Sequence, residues 1–348
     1  MDNIFNYIEN YGGSRFYEKE FNSIDALILA QLSYIPFDGI VKPSLRSAVT
    51  TDIASSIFFK NADFSSVIWK NDPKLLVTLA KSRRFKDIRI SGYINEIDKD
   101  NAKQFSAVVF ELRKNLRFIA FRGTDHSFAG WEEDFTLYSR SVLPSQKQAL
   151  SYFEKAAGLL NGDFIIGGHS KGGNLALYVY EHIQRQFKSR IKSVYNFDGP
   201  SLNKEIISEK VKVFVPQSSV FGIMLNQGEN YSIVKSRGAS FIQHDITNWE
   251  IKNDDFVYAA RRSGTSRYIE RALNDFVNSL NQKQRKDFIN ALFKVFSDTE
   301  KADFDEVLKN PAVIVQSFFR QNKRKRSVIL NTFGKVIRSA GINIFRQN

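Results

Sequence analysis

The chain has 348 residues, 43 % of them apolar and 25 % charged, with a formal charge of +13 and no cysteine. That length admits one large α/β core with a smaller appended unit. The missing cysteine excludes disulfides, thiolate metal sites and a cysteine nucleophile together, so any nucleophilic chemistry falls to Ser, Thr, Lys or a carboxylate.

At the start of the chain, Met1-Asp2-Asn3-Ile4-Phe5-Asn6 places an acid where a secretory signal is basic, and no run of about 18 apolar residues follows. The expectation is a soluble, cytoplasmic protein. Ser23 is expected to cap a helix whose Ile24, Leu27, Ile28, Leu32 and Ile35 keep one face. Thr51 opens a second with Ile53, Ile57 and Phe58, and Pro73 starts a third with Leu75, Leu76 and Leu79. These helices are expected to cover one side of a sheet. From Ile88 the apolar period moves toward two, giving strands over 88–93, 105–112 and 116–121, the last two joined by a hairpin turn at Arg113-Lys114-Asn115.

Beyond the hairpin the elements alternate: a helix over 146–160, a strand over 164–167, a helix over 172–187, then strands over 194–197, 211–215 and 231–234. Alternating strands and helices imply an α/β fold with a mostly parallel, helix-flanked sheet. After Ser263 the strand signal ends and amphipathic helical patterns take over, among them Tyr268, Ile269, Ala272, Leu273 and Phe276. The division expected is a catalytic domain over 1–264 and a helical, basic extension over 265–348. The segment 311–348 has no acid, while Arg320, Lys323, Arg324, Lys325, Arg326, Lys335, Arg338 and Arg346 all fall in it.

The chemistry concentrates at Gly168-His169-Ser170-Lys171-Gly172. A nucleophile on a sharp strand-to-helix turn needs minimal side chains two residues before and after it. The apolar run Phe164-Ile165-Ile166-Gly167 enters this turn and Asn174-Leu175-Ala176-Leu177-Tyr178-Val179 leaves it as a helix. Ser170 is therefore the candidate nucleophile, and the Lys171 backbone N–H a candidate oxyanion donor. Its base is found by elimination among four histidines. His169 lies inside the elbow, His182 sits about 18 Å along the following helix, and His126 precedes the nucleophile in the chain. His244, in a loop after the last core strand, has the order Ser, acid, His that such folds use. For the acid, Asp198 in Asn196-Phe197-Asp198-Gly199-Pro200 ends the strand after the nucleophile's helix. The end of the next strand holds Gln217-Ser218-Ser219, with Glu229 the nearest acid beyond it, and Asp245 adjoins His244.

These motifs, together with Phe121-Arg122-Gly123-Thr124 and the following Trp131 and Asp134, resemble the class 3 (fungal-type) lipases of the α/β-hydrolase superfamily. The chain is still more similar to an uncharacterised bacterial lipase-like family in which Asp-Gly-Pro, Val-Pro-Gln-Ser-Ser and Gln-His-Asp recur. The resemblance covers about Ser23 to Glu250. It implies that Thr124 supplies the first oxyanion N–H and Lys171 the second, with Arg122 and Asp134 buttressing the loop. Gln217-Ser218-Ser219 departs from the class 3 pattern, which has an Asp there.

The apolar stretch Val220-Phe221-Gly222-Ile223-Met224-Leu225 follows a strand at the edge where ligands enter such sheets, so Phe221, Met224 and Leu225 are candidate substrate contacts. The expected activity is hydrolysis of carboxylic (acyl or lipid) esters, with no metal or organic cofactor required. The alternative is a non-catalytic module that keeps the hydrolase fold for binding. The expected partners are an acyl-ester or lipid substrate and a peripheral membrane contact through 311–348. No aromatic interleaving of the basic residues supports nucleic acid.

Overall fold

A computed structural model describes residues 2–61, 64–98, 103–125, 142–202, 204–219, 230–238 and 240–264, with shorter stretches between and beyond them as far as Asn331. At its centre is an eight-stranded sheet whose strands lie side by side in chain order. They are β1 (Val49–Thr50), β2 (Arg89–Asp98), β3 (Lys103–Arg113), β4 (Leu116–Phe121), β5 (Asp163–His169), β6 (Ile191–Phe197), β7 (Val211–Pro216) and β8 (Ser232–Val234). β3 and β4 form the expected antiparallel hairpin, and Asn115 turns it with a left-handed φ of 64°, which Asn tolerates better than most side chains. From β4 to β8 every pairing is parallel.

Stepping one strand at a time in one direction, with right-handed crossovers, puts the crossover helices on a single face. Those helices are α5 (Pro144–Leu159) and α6 (Lys171–His182), numbered after α1 (Ile4–Tyr11), α2 (Ser23–Leu32), α3 (Thr51–Asn61) and α4 (Asp72–Lys81). Phe164 of β5 meets Phe153 of α5, while its neighbour Ile165 points the other way into the core built with α1 to α4. That second core joins Ile4, Leu27, Phe58 and Leu76 to Phe118, Tyr195 and Phe197. The N-terminal helices cover one side of the sheet, as their sequence suggests.

Three local expectations are corrected. The cap of α2 is Asn22, whose side chain accepts from Ile24 N and Asp25 N; Ser23 is the first helical residue. In α3 the buried residues are Thr51, Ala54, Ser55 and Phe58, whereas Ile53 is exposed, because the helix leans on α4 through that other stripe. The helix expected over 172–187 stops at His182: Ile183 turns extended, which buries its side chain, and a single turn α7 (Arg185–Lys188) follows.

One buried ion pair fastens the N-terminal layer. Arg84 lies 2.6 Å from Asp25 with both side chains inaccessible, and its remaining N–H groups reach the carbonyls of Ser14, Lys19 and Glu20. Asp25 also accepts from Tyr7 and from the Asn22 backbone, so the charge is surrounded by donors.

The chain divides into two compact units. The first comprises Met1–Glu96, Phe105–Gly123 and Ser145–Ser266; the second Ile97–Gln104, Thr124–Pro144 and Arg267–Asn348. Within the second, buried Glu133 accepts from the Gln104 backbone at 3.2 Å, and Ala291 and Ile329 share a small apolar cluster with Phe318 and Val328. No described helix is long and apolar enough to cross a membrane.

Candidate active site

The turn between β5 and α6 is fixed by its glycines. A Cβ on Gly172 would lie 1.9 Å from the Phe121 carbonyl oxygen, and one on Gly168 would lie 2.3 Å from the same atom. The end of β4 crosses so closely that no side chain fits, and Ser170 is left at φ 57° and ψ −133°, a conformation costing about 1–3 kcal/mol outside glycine. Its N–H donates to Phe197 O at 2.9 Å, which ties the elbow to the end of β6.

The residues after β6 are held just as firmly. The Asn196 side chain both accepts from and donates to the Gly199 backbone, while Asn174, itself bonded by Gln146, donates to the carbonyls of Pro200 and Ser201. Asp198 sits in this clamp with a left-handed φ of 51° and an inaccessible side chain. One carboxylate oxygen, Oδ1, accepts from the Ser219 hydroxyl and from Gly222 N at 3.0 Å. The other, Oδ2, accepts from His244 Nδ1 at 2.7 Å.

His244 ends a 3-10 turn over Ser240–His244, and its ring lies between Phe221 (centroids 4.2 Å apart) and His169 (4.3 Å). The turn is anchored by the buried Gln243 side chain, which accepts from Ser218 N and donates to the carbonyls of Ser236 and Gly238. Asp245 faces elsewhere and caps the next turn through Thr247 N and Oγ1. His169 is completely buried, with Nε2 2.9 Å from the His244 carbonyl oxygen and Nδ1 3.1 Å from the Tyr34 hydroxyl.

Burial disfavours every charge here. It pushes Asp198 up to about 7, against the pull of the Ser219 hydroxyl, His169 and Gly222 N–H. It pushes His244 down to about 3, opposed by Asp245, and holds His169 well below the usual histidine value, helped by His244. A neutral His244 that donates from Nδ1 presents a lone pair at Nε2, the state required of a general base.

Lys171 is the first residue of α6 and is buried, and Thr124 follows Gly123 directly after β4. A Cβ on Gly123 would come within 3.0 Å of the Ser170 Cβ, so this strand end abuts the elbow. Arg122 bonds Asn95, which contacts Asp38. Phe221 packs on the His244 ring, Leu225 is half-buried with a φ of 62°, and Gly222 wraps the Asp198 carboxylate. His182 closes the end of α6, with its ring stacked on Tyr178. Met224, His126, Trp131, Asp134 and Glu229 lie outside the described residues. Among the described residues no group of three or more His, Asp or Glu is arranged to hold a metal ion.

A family model described as Mbeg1-like matches residues 79–294, more than half of the chain. The chain belongs to the Mbeg1-like family. This is a lipase-like family, in keeping with the resemblance read from the motifs, although the matched segment starts later than Ser23 and runs past Glu250. No curated protein and no solved structure matches the chain.

Four residues of the site escape a sequence reading that looks only for reactive groups. Ser219 and Gln243 stand in the family-like motifs Val-Pro-Gln-Ser-Ser and Gln-His-Asp, as neutral side chains with no reactivity of their own to mark them. Ser219 belongs to the stretch Gln217-Ser218-Ser219, which stands where the class 3 pattern has an Asp, and its hydroxyl donates to Asp198. Tyr34 and Trp69, whose rings pack edge-on against each other and against His169, precede the matched family segment and have no local motif at all.

Proposed function

We propose that this protein is a serine hydrolase that cleaves carboxylic esters, acyl or lipid, through an acyl-enzyme on Ser170. The observation that carries the reading is the 2.7 Å bond between two buried groups, His244 Nδ1 and Asp198 Oδ2, together with a serine held at positive φ in the glycine-flanked turn. In this reading His244 Nε2 takes the proton as Ser170 Oγ attacks the acyl carbonyl. The resulting oxyanion is met by the N–H groups of Thr124 and Lys171, with the positive end of α6 behind them. His244 then returns the proton to the leaving alkoxide, and a water repeats the sequence to release the acid. Asp198 orients the imidazole and balances the imidazolium, and its burial makes that balance strong.

Phe221, Met224 and Leu225 form the acyl wall in this reading. The hydrolase domain is 1–264, and the basic extension within 265–348 brings it to anionic lipid through 311–348, a segment mostly outside the described residues. The test is covalent labelling with a fluorophosphonate probe. Ser170 is expected to be modified in the wild type, and no label in Ser170→Ala. A folded wild type that stays unlabelled at Ser170 overturns the reading and leaves a binding module. p-Nitrophenyl esters of graded chain length then report the acyl preference.

A further inference from the structure

The ring of His169 has no part in the reaction above, yet it is inaccessible, it is bonded at both nitrogens, and it stands next to the nucleophile in the chain. A backbone carbonyl only accepts, so the 2.9 Å contact to the His244 oxygen requires a proton on His169 Nε2. In the neutral ring Nδ1 is then bare, and it takes the Tyr34 O–H at 3.1 Å. The Tyr34 hydroxyl also lies 3.4 Å from the His169 carbonyl oxygen, so its proton serves His169 at the ring and, at longer range, at the backbone, while His169 donates to the backbone of His244.

The position of Tyr34 is itself enforced. Its hydroxyl lies 2.1 Å from where a Cβ on Gly123 would be, so the glycine in Arg122-Gly123-Thr124 leaves the space that lets Tyr34 reach under the elbow. Tyr34 is inaccessible and follows Ser33, the C-cap of α2, a helix that packs on β4, β5 and β6. A rigid helix layer therefore supports the hydroxyl.

His244 needs such a support. Its side chain is held at Nδ1 by Asp198, and its ring by Phe221 and His169, but the reach of Nε2 toward Ser170 also depends on where its backbone sits. That backbone belongs to a one-turn 3-10 element 74 positions after Ser170 in the chain (244 − 170). The His169 bond fastens it to the residue immediately before the nucleophile, so the two reacting side chains share one anchor.

We propose that His169, poised by Tyr34, is a positioning residue that sets the distance between the base His244 and the nucleophile Ser170. The inference rests on the serine-hydrolase reading. It also makes Tyr34 and the helix α2 before it, which precede the matched family segment, part of the catalytic unit. Displacing a reacting group by about 1 Å costs on the order of 100-fold in rate. His169→Leu is accordingly expected to lower kcat about 100-fold with KM nearly unchanged, and to slow fluorophosphonate labelling of Ser170 to match. His169→Gln keeps an amide donor close to the position of Nε2 and is expected to recover activity to within about tenfold of wild type. A merely structural histidine gives no such rescue. Tyr34→Phe, which deletes one oxygen, is expected to lower kcat about tenfold and serves the test even where His169→Leu does not fold. Each variant is compared at temperatures below its own unfolding transition. If wild type is labelled at Ser170 while folded His169→Leu and Tyr34→Phe keep kcat within twofold, the positioning role is overturned and the hydrolase reading stands. If wild type is not labelled, both fall.

Discussion

Ser219→Ala isolates one hydrogen bond on a buried carboxylate. In the wild type, Asp198 Oδ1 accepts from the Ser219 hydroxyl and from Gly222 N, while Gly222 N also lies 2.9 Å from Ser219 Oγ. A donor aimed at a carboxylate favours the charged form and lowers the pKa, so its removal raises the pKa. Charge-assisted hydrogen bonds contribute about 1.5–3 kcal/mol, and about 1.36 kcal/mol corresponds to one pKa unit. Gly222 N–H is freed to bond Asp198 alone and recovers part of the loss, so the net rise is about one unit. The acid limb starts from the value of about 7 to which burial pushes Asp198. Moving that limb up by about one unit reduces the ionised fraction at pH 7 from about one half to about one tenth, a roughly fivefold loss of kcat/KM. The loss is expected to vanish near pH 9. The assay is the pH profile of kcat/KM on a p-nitrophenyl ester, with the His244 Nδ1 proton followed by NMR in parallel. A limb that stays in place or moves to lower pH, or a loss equal at every pH, refutes the reasoning.

Asp198→Asn removes the acceptor that fixes the His244 tautomer and is expected to lower kcat by about 10³–10⁴-fold, whereas Glu229→Gln leaves kcat within about twofold; the reverse pattern in steady-state kinetics reassigns the acid. Gly172→Ala places a methyl 1.9 Å from the Phe121 carbonyl oxygen and is expected to cost about 1–3 kcal/mol by urea denaturation. Gly158→Ala, at an open and exposed position of α5 with nothing within 4 Å, is expected to be neutral or stabilising by up to about 1 kcal/mol in the same measurement. Arg84→Ala leaves Asp25 buried without its cation and frees three loop carbonyls, for an expected loss of about 3–5 kcal/mol in the urea midpoint analysis.

The sequence by itself determined the order of strands from β2 to β8 with the helices between them, the hairpin at Asn115 and the glycine-flanked turn around Ser170, but neither α1 nor the two-residue β1. Each is a local matter of apolar period or backbone freedom, encoded within about ten residues. It also narrowed the candidate base to His244, because only four histidines are present and place in the elbow, distance along the helix and chain order set aside the other three. Helix faces were less legible: α2 is buried from Ile24 to Leu32 because it lies between the sheet and both α1 and α4, and no single-helix period announces a helix enclosed on every side. The surroundings of the candidate site were decided by the tertiary structure alone. Asp198 meets His244 across 46 positions, Ser219 donates to Asp198 across 21, and Tyr34 reaches His169 across 135. Those pairings follow from parallel strand register and from loops gathered at one sheet edge. A carboxylate, a hydroxyl and a phenol carry no local signal of which distant partner that packing will bring to them.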